Sequence, residues 1–187
     1  MVSPHTDPLE PVASRHGEWR EQFEHKRERV VTTLESWGLA EQLVRVEHVG
    51  STAVPDLPAK DIVDLDIVVA DGAVGTVSTA LLTDLGGTRH QNSREWHPLF
   101  RVADGQRFND HVFAASSDRW RVSVATVAAL RERPDLREEY TAVKQRAARE
   151  TDDLERYSRA KSEVIGRILD AARDLDDALG IAVPEHP

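Results

Sequence analysis

The chain has 187 residues, a formal net charge of −9 and no cysteine. That length supports a substantial core, and the missing cysteines exclude a disulfide framework and thiolate chemistry and fit a reducing cytoplasm. The acidic balance argues against a long nucleic-acid footprint, which wants a basic face, and no apolar run approaches the roughly 20 residues of a membrane span.

Residues 1 to 14 are rich in proline and polar groups, lack the basic start and apolar stretch of a secretory signal, and read as a loose arm. The spacing of Trp19, Phe23, Val30, Leu34 and Trp37 predicts a helix from Gly17 to Trp37, stopped by Gly38. Leu43 to Val49 follows as a strand, Gly50 to Lys60 as a loop, and Ile62 to Val69 as a second strand. Ala73 to Leu85 reads as a helix closed by Gly86 and Gly87. Trp96–Val102 and Arg107–Ala114 form a predicted hairpin, with Ala103-Asp104-Gly105-Gln106 as its turn. From Asp118 onward the pattern is helical: Trp120 to Arg131, a helix opened by Pro134, and a last one over Asp152 to Leu179. The fold class is α+β, one domain over 1–187 in which an N-terminal helix and a C-terminal helical set (118–180) flank a mixed sheet.

The chemistry concentrates between Val46 and Val69. Alternation along the second strand puts Val63, Leu65, Ile67 and Val69 on one face, and Asp64 and Asp66 on the other with Ile62 and Val68. Neighbouring carboxylates on an apolar strand repel and resist burial. A divalent cation, Mg2+ or Mn2+, resolves that conflict; the bland alternatives are arginine partners or an exposed edge. Upstream, Gly50 lets backbone approach a phosphate, Ser51 adds a hydroxyl, and the amides of such a turn cradle an anion. A phosphate grip followed by a two-carboxylate clamp is what phosphoryl or nucleotidyl transfer needs.

An apolar residue, Gly50-Ser51, twelve intervening residues and then Asp64-Leu65-Asp66-Ile67 resembles the signature of the nucleotidyltransferase fold of the DNA polymerase beta superfamily. The longer phrase Glu47-His48-Val49-Gly50-Ser51-Thr52-Ala53-Val54-Pro55, then Leu57-Pro58-Ala59-Lys60, is similar to the GrpB family, whose members have no settled general activity. A similar domain is fused behind some bacterial dephospho-coenzyme A kinases, although the phosphate-binding loop of a kinase is absent here. The resemblance implies catalytic Asp64 and Asp66, and nucleotide contacts from Gly50, Ser51, Lys60, Lys144 and Lys161. It implies a nucleoside triphosphate, ATP foremost, and a small-molecule acceptor, with carboxylate adenylylation before amide formation as a variant. The alternative is a non-catalytic nucleotide- or coenzyme-binding or folding-accessory module.

The superfamily takes a third carboxylate from a later strand. Asp110 and His111 both stand in the second hairpin strand on opposite faces, so either fills that place. His111 is favoured, and Asp110 remains the rival as a metal ligand. His48, two residues before Gly50, reads either as a packed histidine, the bland reading, or as a weaker substrate contact, and Arg94 and Arg101 are candidate phosphate contacts. Two tetrads, Tyr140 to Lys144 and Tyr157 to Lys161, each put a tyrosine and a lysine on one helical face. The plain reading is an interfacial tyrosine with a snorkelling lysine. The resemblance instead turns Tyr140, Lys144, Tyr157 and Lys161 toward a triphosphate.

Overall fold

The computed structural model describes residues 11–90, 93–150, 162–175 and 179–185. Helix α1, His16–Ser36, buries Trp19, Phe23, Val30 and Leu34, the expected stripe, together with Lys26 and Thr33. Trp37 leaves that stripe: it is exposed and donates its indole N–H to Asp84 at 3.0 Å. The N-terminal arm is tied down at Val12, which exchanges two backbone hydrogen bonds with Ala59.

Five strands follow: β1 Leu43–Val49, β2 Ile62–Val69, β3 Thr88–Arg89, β4 Trp96–Ala103 and β5 Gln106–Ala114. They pair in the order β1-β2-β5-β4-β3. Only β2 and β5 run parallel; the other neighbours are antiparallel. The crossover between the parallel pair carries helix α2, Val74–Leu85, as a parallel connection requires. Asp104 and Gly105 both take positive φ at the β4–β5 turn, the conformation that suits a two-residue hairpin.

Register divides the sheet into two faces. Val46, His48, Val63, Leu65, Ile67, Phe108, Asp110 and Val112 share the first. Most of their apolar members join α1 and α2 in one core. The second face carries Glu47, Val49, Asp64, Asp66, Asn109 and His111. Over it lie α3, Asp118–Glu132, α4, Pro134–Glu150, and α5, Ser162–Ala172. These helices form a second core with Val49, Ala53, Val54 and Leu57 of the loop after β1. Among the described residues no helix is long and apolar enough to cross a membrane.

Candidate active site

The loop after β1 is built by close approach. Gly50 sits at φ 70°, ψ −170°, a region essentially reserved for glycine. A Cβ there would run into Asp64 Oδ2, with Asp64 Cγ only 3.2 Å away. The glycine therefore lets the turn press against the first acid. Gly50→Ala is expected to cost about 1–3 kcal/mol of stability, the scale of one strained backbone position, and to displace the Asp64 carboxylate. Urea unfolding and the chemical shift of Asp64 report the two effects separately.

Four elements pin this loop. His16 of α1 meets the Thr52 carbonyl at 3.1 Å, and His48 of β1 meets the Thr52 hydroxyl at 3.1 Å. Arg131 of α3 donates twice to the Ala53 carbonyl, at 3.0 and 2.8 Å. Lys144 of α4, itself buried, donates to Ser51 Oγ at 2.7 Å and to the Pro58 carbonyl at 2.8 Å. Its ammonium also lies over the Tyr140 ring. Burial raises the Tyr140 phenol above its usual range, the Ser51 hydroxyl opposes that, and the Asp64 charge adds to it. Gly50, Ser51, Asp64, Tyr140 and Lys144 thus meet at one place. Lys60 is half-buried at the far end of the same loop.

Asp64 and Asp66 lie on one face of β2, yet their surroundings differ. Asp64 is partly exposed and accepts from the Asn109 amide at 3.0 Å. Asp66 is fully buried, and neither of its oxygens has a hydrogen-bond partner. Burial drives its carboxyl well above the ordinary range; Ser123 of α3 pulls it back, while the Asp64 and Glu47 charges push it further up. Glu47 stands directly opposite on β1 but is taken by Arg45, whose Nη2 lies 2.6 Å from it. Of the two acids only Asp64 is partly exposed.

The raised Asp66 carboxyl fixes the sign of a pH effect. The folded chain holds this proton where the unfolded chain has lost it. The resulting stability is fully present below the ordinary value of 3.8 and drains away as pH rises toward the folded value. In the presence of a chelator, Asp66→Asn is expected to be more stable than wild type at pH 8 by about 1 kcal/mol or more, the scale of an unsatisfied buried group. The advantage should shrink at pH 5, and thermal unfolding at both pH values measures it.

His111 stands beside Asp66 across the parallel β2–β5 pair, as Asn109 stands beside Asp64. Its Nδ1 accepts from the Trp96 indole at 3.1 Å, and its Nε2 lies 3.0 Å from the Asn109 amide nitrogen. Burial holds the imidazole down at about 4, with the Asp110 charge opposing, so the ring is neutral near pH 7. Next to it, Ser93, Arg94, Glu95, Trp96, Ser117 and Arg119 line a pocket of about 390 Å³.

Three expected site residues fall elsewhere. Asp110 faces the α1–α2 side, where Arg101 and Lys26 approach its Oδ2 at 2.8 and 3.5 Å. It cannot share a cation with Asp64 and Asp66, because β5 alternation sends it through the sheet. Arg101 is committed to that buried cluster and is no phosphate contact. His48 stacks on Phe23 with ring centroids 4.8 Å apart; burial lowers it to about 3, helped by His16 and Arg131. It is a packed neutral histidine, the bland reading. Tyr157 and Lys161 lie outside the described residues. Asn109 and Trp96 were not singled out from sequence, since only the pairing of β5 with β2 and β4 brings them to the acids.

Among the described residues, no three histidine, cysteine or carboxylate groups come together as a metal site. The two acids nevertheless fit a divalent ion: Asp66 is a buried carboxylate with no partner, beside a second carboxylate. Hard cations take such oxygens.

Comparison with known proteins agrees with this architecture. The profile described as GrpB protein matches residues 11–171. A UPF0157 protein of Deinococcus radiodurans is 30% identical over 90% of this chain and 85% of its own length. One from Halalkalibacterium halodurans is 31% identical over 82% of this chain and 77% of its own. Among solved structures, the conserved protein GrpB from Enterococcus faecalis superposes with a TM-score of 0.69 at 24% identity, covering 87% of this chain and 97% of that one. A cytoplasmic RNA terminal U-transferase shares the fold at a TM-score of 0.56 and 14% identity, over 84% of this chain and 48% of its own. The sheet, the Gly-Ser turn set against an acid pair and these matches together make the chain a member of the GrpB family, with a nucleotidyltransferase-like fold.

Proposed function

We propose that this protein is a Mg2+-dependent nucleotidyltransferase acting from a nucleoside triphosphate, ATP foremost, onto a small-molecule acceptor. The observation that carries the reading is the Gly50 turn pressed against Asp64, with the partnerless Asp66 two residues further along the same face. Asp64 and Asp66 would hold the ion, whose chemistry is to neutralise charge on the reacting phosphates. The rest falls to this chain. The Gly50–Ser51 turn presents backbone and hydroxyl to the triphosphate. Lys144, already bonded to Ser51 Oγ, supplies local positive charge to the turn of an acidic protein, and Lys60 ends the same loop. An acceptor hydroxyl, amine or carboxylate attacks the α-phosphorus, the bond to the bridging oxygen breaks, and pyrophosphate leaves. Rate comes from positioning and charge neutralisation.

One observation favours a second reading. Asp66 is sealed beneath α3 with its carboxyl pushed toward the neutral form, which suits a module that binds a nucleotide or coenzyme without turning it over. A thermal-unfolding panel of nucleoside triphosphates with and without Mg2+, followed by pyrophosphate detection over an acceptor screen, separates the two. Stabilisation that needs Mg2+, with pyrophosphate release, is the expected result. Stabilisation without release in any acceptor leaves the binding module, and no stabilisation by any nucleotide sinks both.

A further inference from the structure

A neutral imidazole carries one N–H and one bare nitrogen, so it donates one hydrogen bond and accepts one in its plane. His111 lies between two groups that both point donors at it. The Trp96 indole N–H reaches Nδ1 at 3.1 Å, and an indole nitrogen only donates. Nδ1 is therefore bare, and Nε2 bears the proton. Yet the Asn109 amide nitrogen lies 3.0 Å from Nε2. The same nitrogen donates to Asp64 Oδ1 at 3.0 Å. Two donors face each other at Nε2, and an imidazolium would meet donors at both nitrogens. Asn109 Oδ1, meanwhile, is buried without a partner. Half a turn of the planar amide exchanges its oxygen and nitrogen. That gives the Nε2 proton an acceptor. It also sets the amide oxygen against Asp64 Oδ1, where two oxygens repel unless a positive charge lies between them.

We propose that Asn109 Oδ1 is the third oxygen ligand of the cation site formed with Asp64 and Asp66, and that Trp96, acting through His111, selects the amide orientation that presents it. The inference rests on the reading of the acid pair given above. Its ligand class is a hard divalent cation, which takes amide and carboxylate oxygens. The placement suits it: Asn109 is the direct neighbour of Asp64 across β2 and β5. Without the ion the amide turns back to donate to Asp64, and His111 is left facing two donors. With the ion, Asp64 Oδ1, Asn109 Oδ1 and the His111 Nε2 proton each have a complement. His111 is then a positioning residue; its protonated Nε2 is no ligand and no base. Outer groups that orient a ligand in this way are worth roughly 10–100-fold in metal affinity.

The test uses the full chain and Mn2+ alone, titrated by electron paramagnetic resonance, with 15N spectra of the histidine ring in Mg2+. Asn109→Asp is expected to bind Mn2+ at least as tightly as wild type. Asn109→Leu, and Trp96→Phe, which keeps a ring but removes the N–H, are expected to bind about tenfold or more weakly. In Mg2+ the His111 ring is expected to show a bare Nδ1 and a protonated Nε2. Wild-type affinity in Asn109→Leu, while Asp64→Asn loses binding, overturns this inference and leaves the acid pair standing. A ring protonated at Nδ1 overturns the relay. Absence of Mn2+ binding to the wild type overturns both readings together. Asn109→Asp keeps the shape and a ligating oxygen, so weakened Mn2+ binding in that variant also overturns the inference, even where the leucine variant folds poorly.

Discussion

Replacing both Asp64 and Asp66 by asparagine is expected to abolish Mg2+-dependent stabilisation by nucleoside triphosphate and to leave the unliganded fold intact. The first half follows from charge. Asparagine keeps the shape of each side chain and one of its oxygens but removes the anions that offset a doubly charged ion. A ligand present at a hundred times its Kd adds about 2.7 kcal/mol to the folded state. For a chain of this size that is roughly 5–10 °C in Tm, and the variant should show none of it. The second half follows from the burial of Asp66. Burial drives its carboxyl toward the neutral form against the pull of Ser123, so a neutral amide removes a cost and still offers Ser123 a polar atom. Circular dichroism checks the fold, and thermal unfolding with ATP, with and without Mg2+, checks the ligand. An undiminished Mg2+-dependent shift in the double variant would end the assignment of these acids.

Much of this arrangement was legible because it depends on local period. The β2 alternation separates Asp64 and Asp66 from Val63, Leu65 and Ile67 whatever the rest of the chain does, and those apolar residues are buried in the α1–α2 core. The Gly50 turn was legible because few residues besides glycine tolerate its backbone. What sequence did not show was which neighbour each strand takes. Asn109 and His111 share a face with the acids only because β5 inserts parallel beside β2. The choice between Asp110 and His111 could not be made until that pairing was known. The sealing of Asp66 was hidden for a similar reason: the helix that covers it, α3, lies far along the chain, and helical periodicity says which residues turn inward but not over what. One signal was available and went unused. Lys26 falls between Phe23 and Val30 at helical spacing, inside the buried stripe of α1. A lysine there calls for a carboxylate from across the fold.

That carboxylate is Asp110, and its removal carries the largest stability change expected of any single substitution considered for this protein. Asp110, Lys26 and Arg101 are each at most 2% exposed. One anion therefore serves two buried cations, with Lys26 also lying over the Phe108 ring. Asp110→Asn leaves both cations without a counter-charge, and breaking a buried pair in this way costs about 3–5 kcal/mol. Burial already lowers Lys26 to about 8, with Asp110 opposing the drop and Arg101 and Arg29 adding to it. Below that value the folded chain bears the full cost of a buried ammonium; as pH rises through it the cost falls away. The deficit of Asp110→Asn should accordingly be larger at pH 7 than at pH 9, where Lys26 has given up its proton. Lys26→Met in the Asp110→Asn background should recover part of the loss, and Arg101 accounts for what remains. Urea unfolding of the two single variants and the double variant measures the coupling directly. A deficit below about 1 kcal/mol for Asp110→Asn, the scale of an exposed ion pair, would mean that water reaches this cluster and that the α1–α2 face is not closed over it.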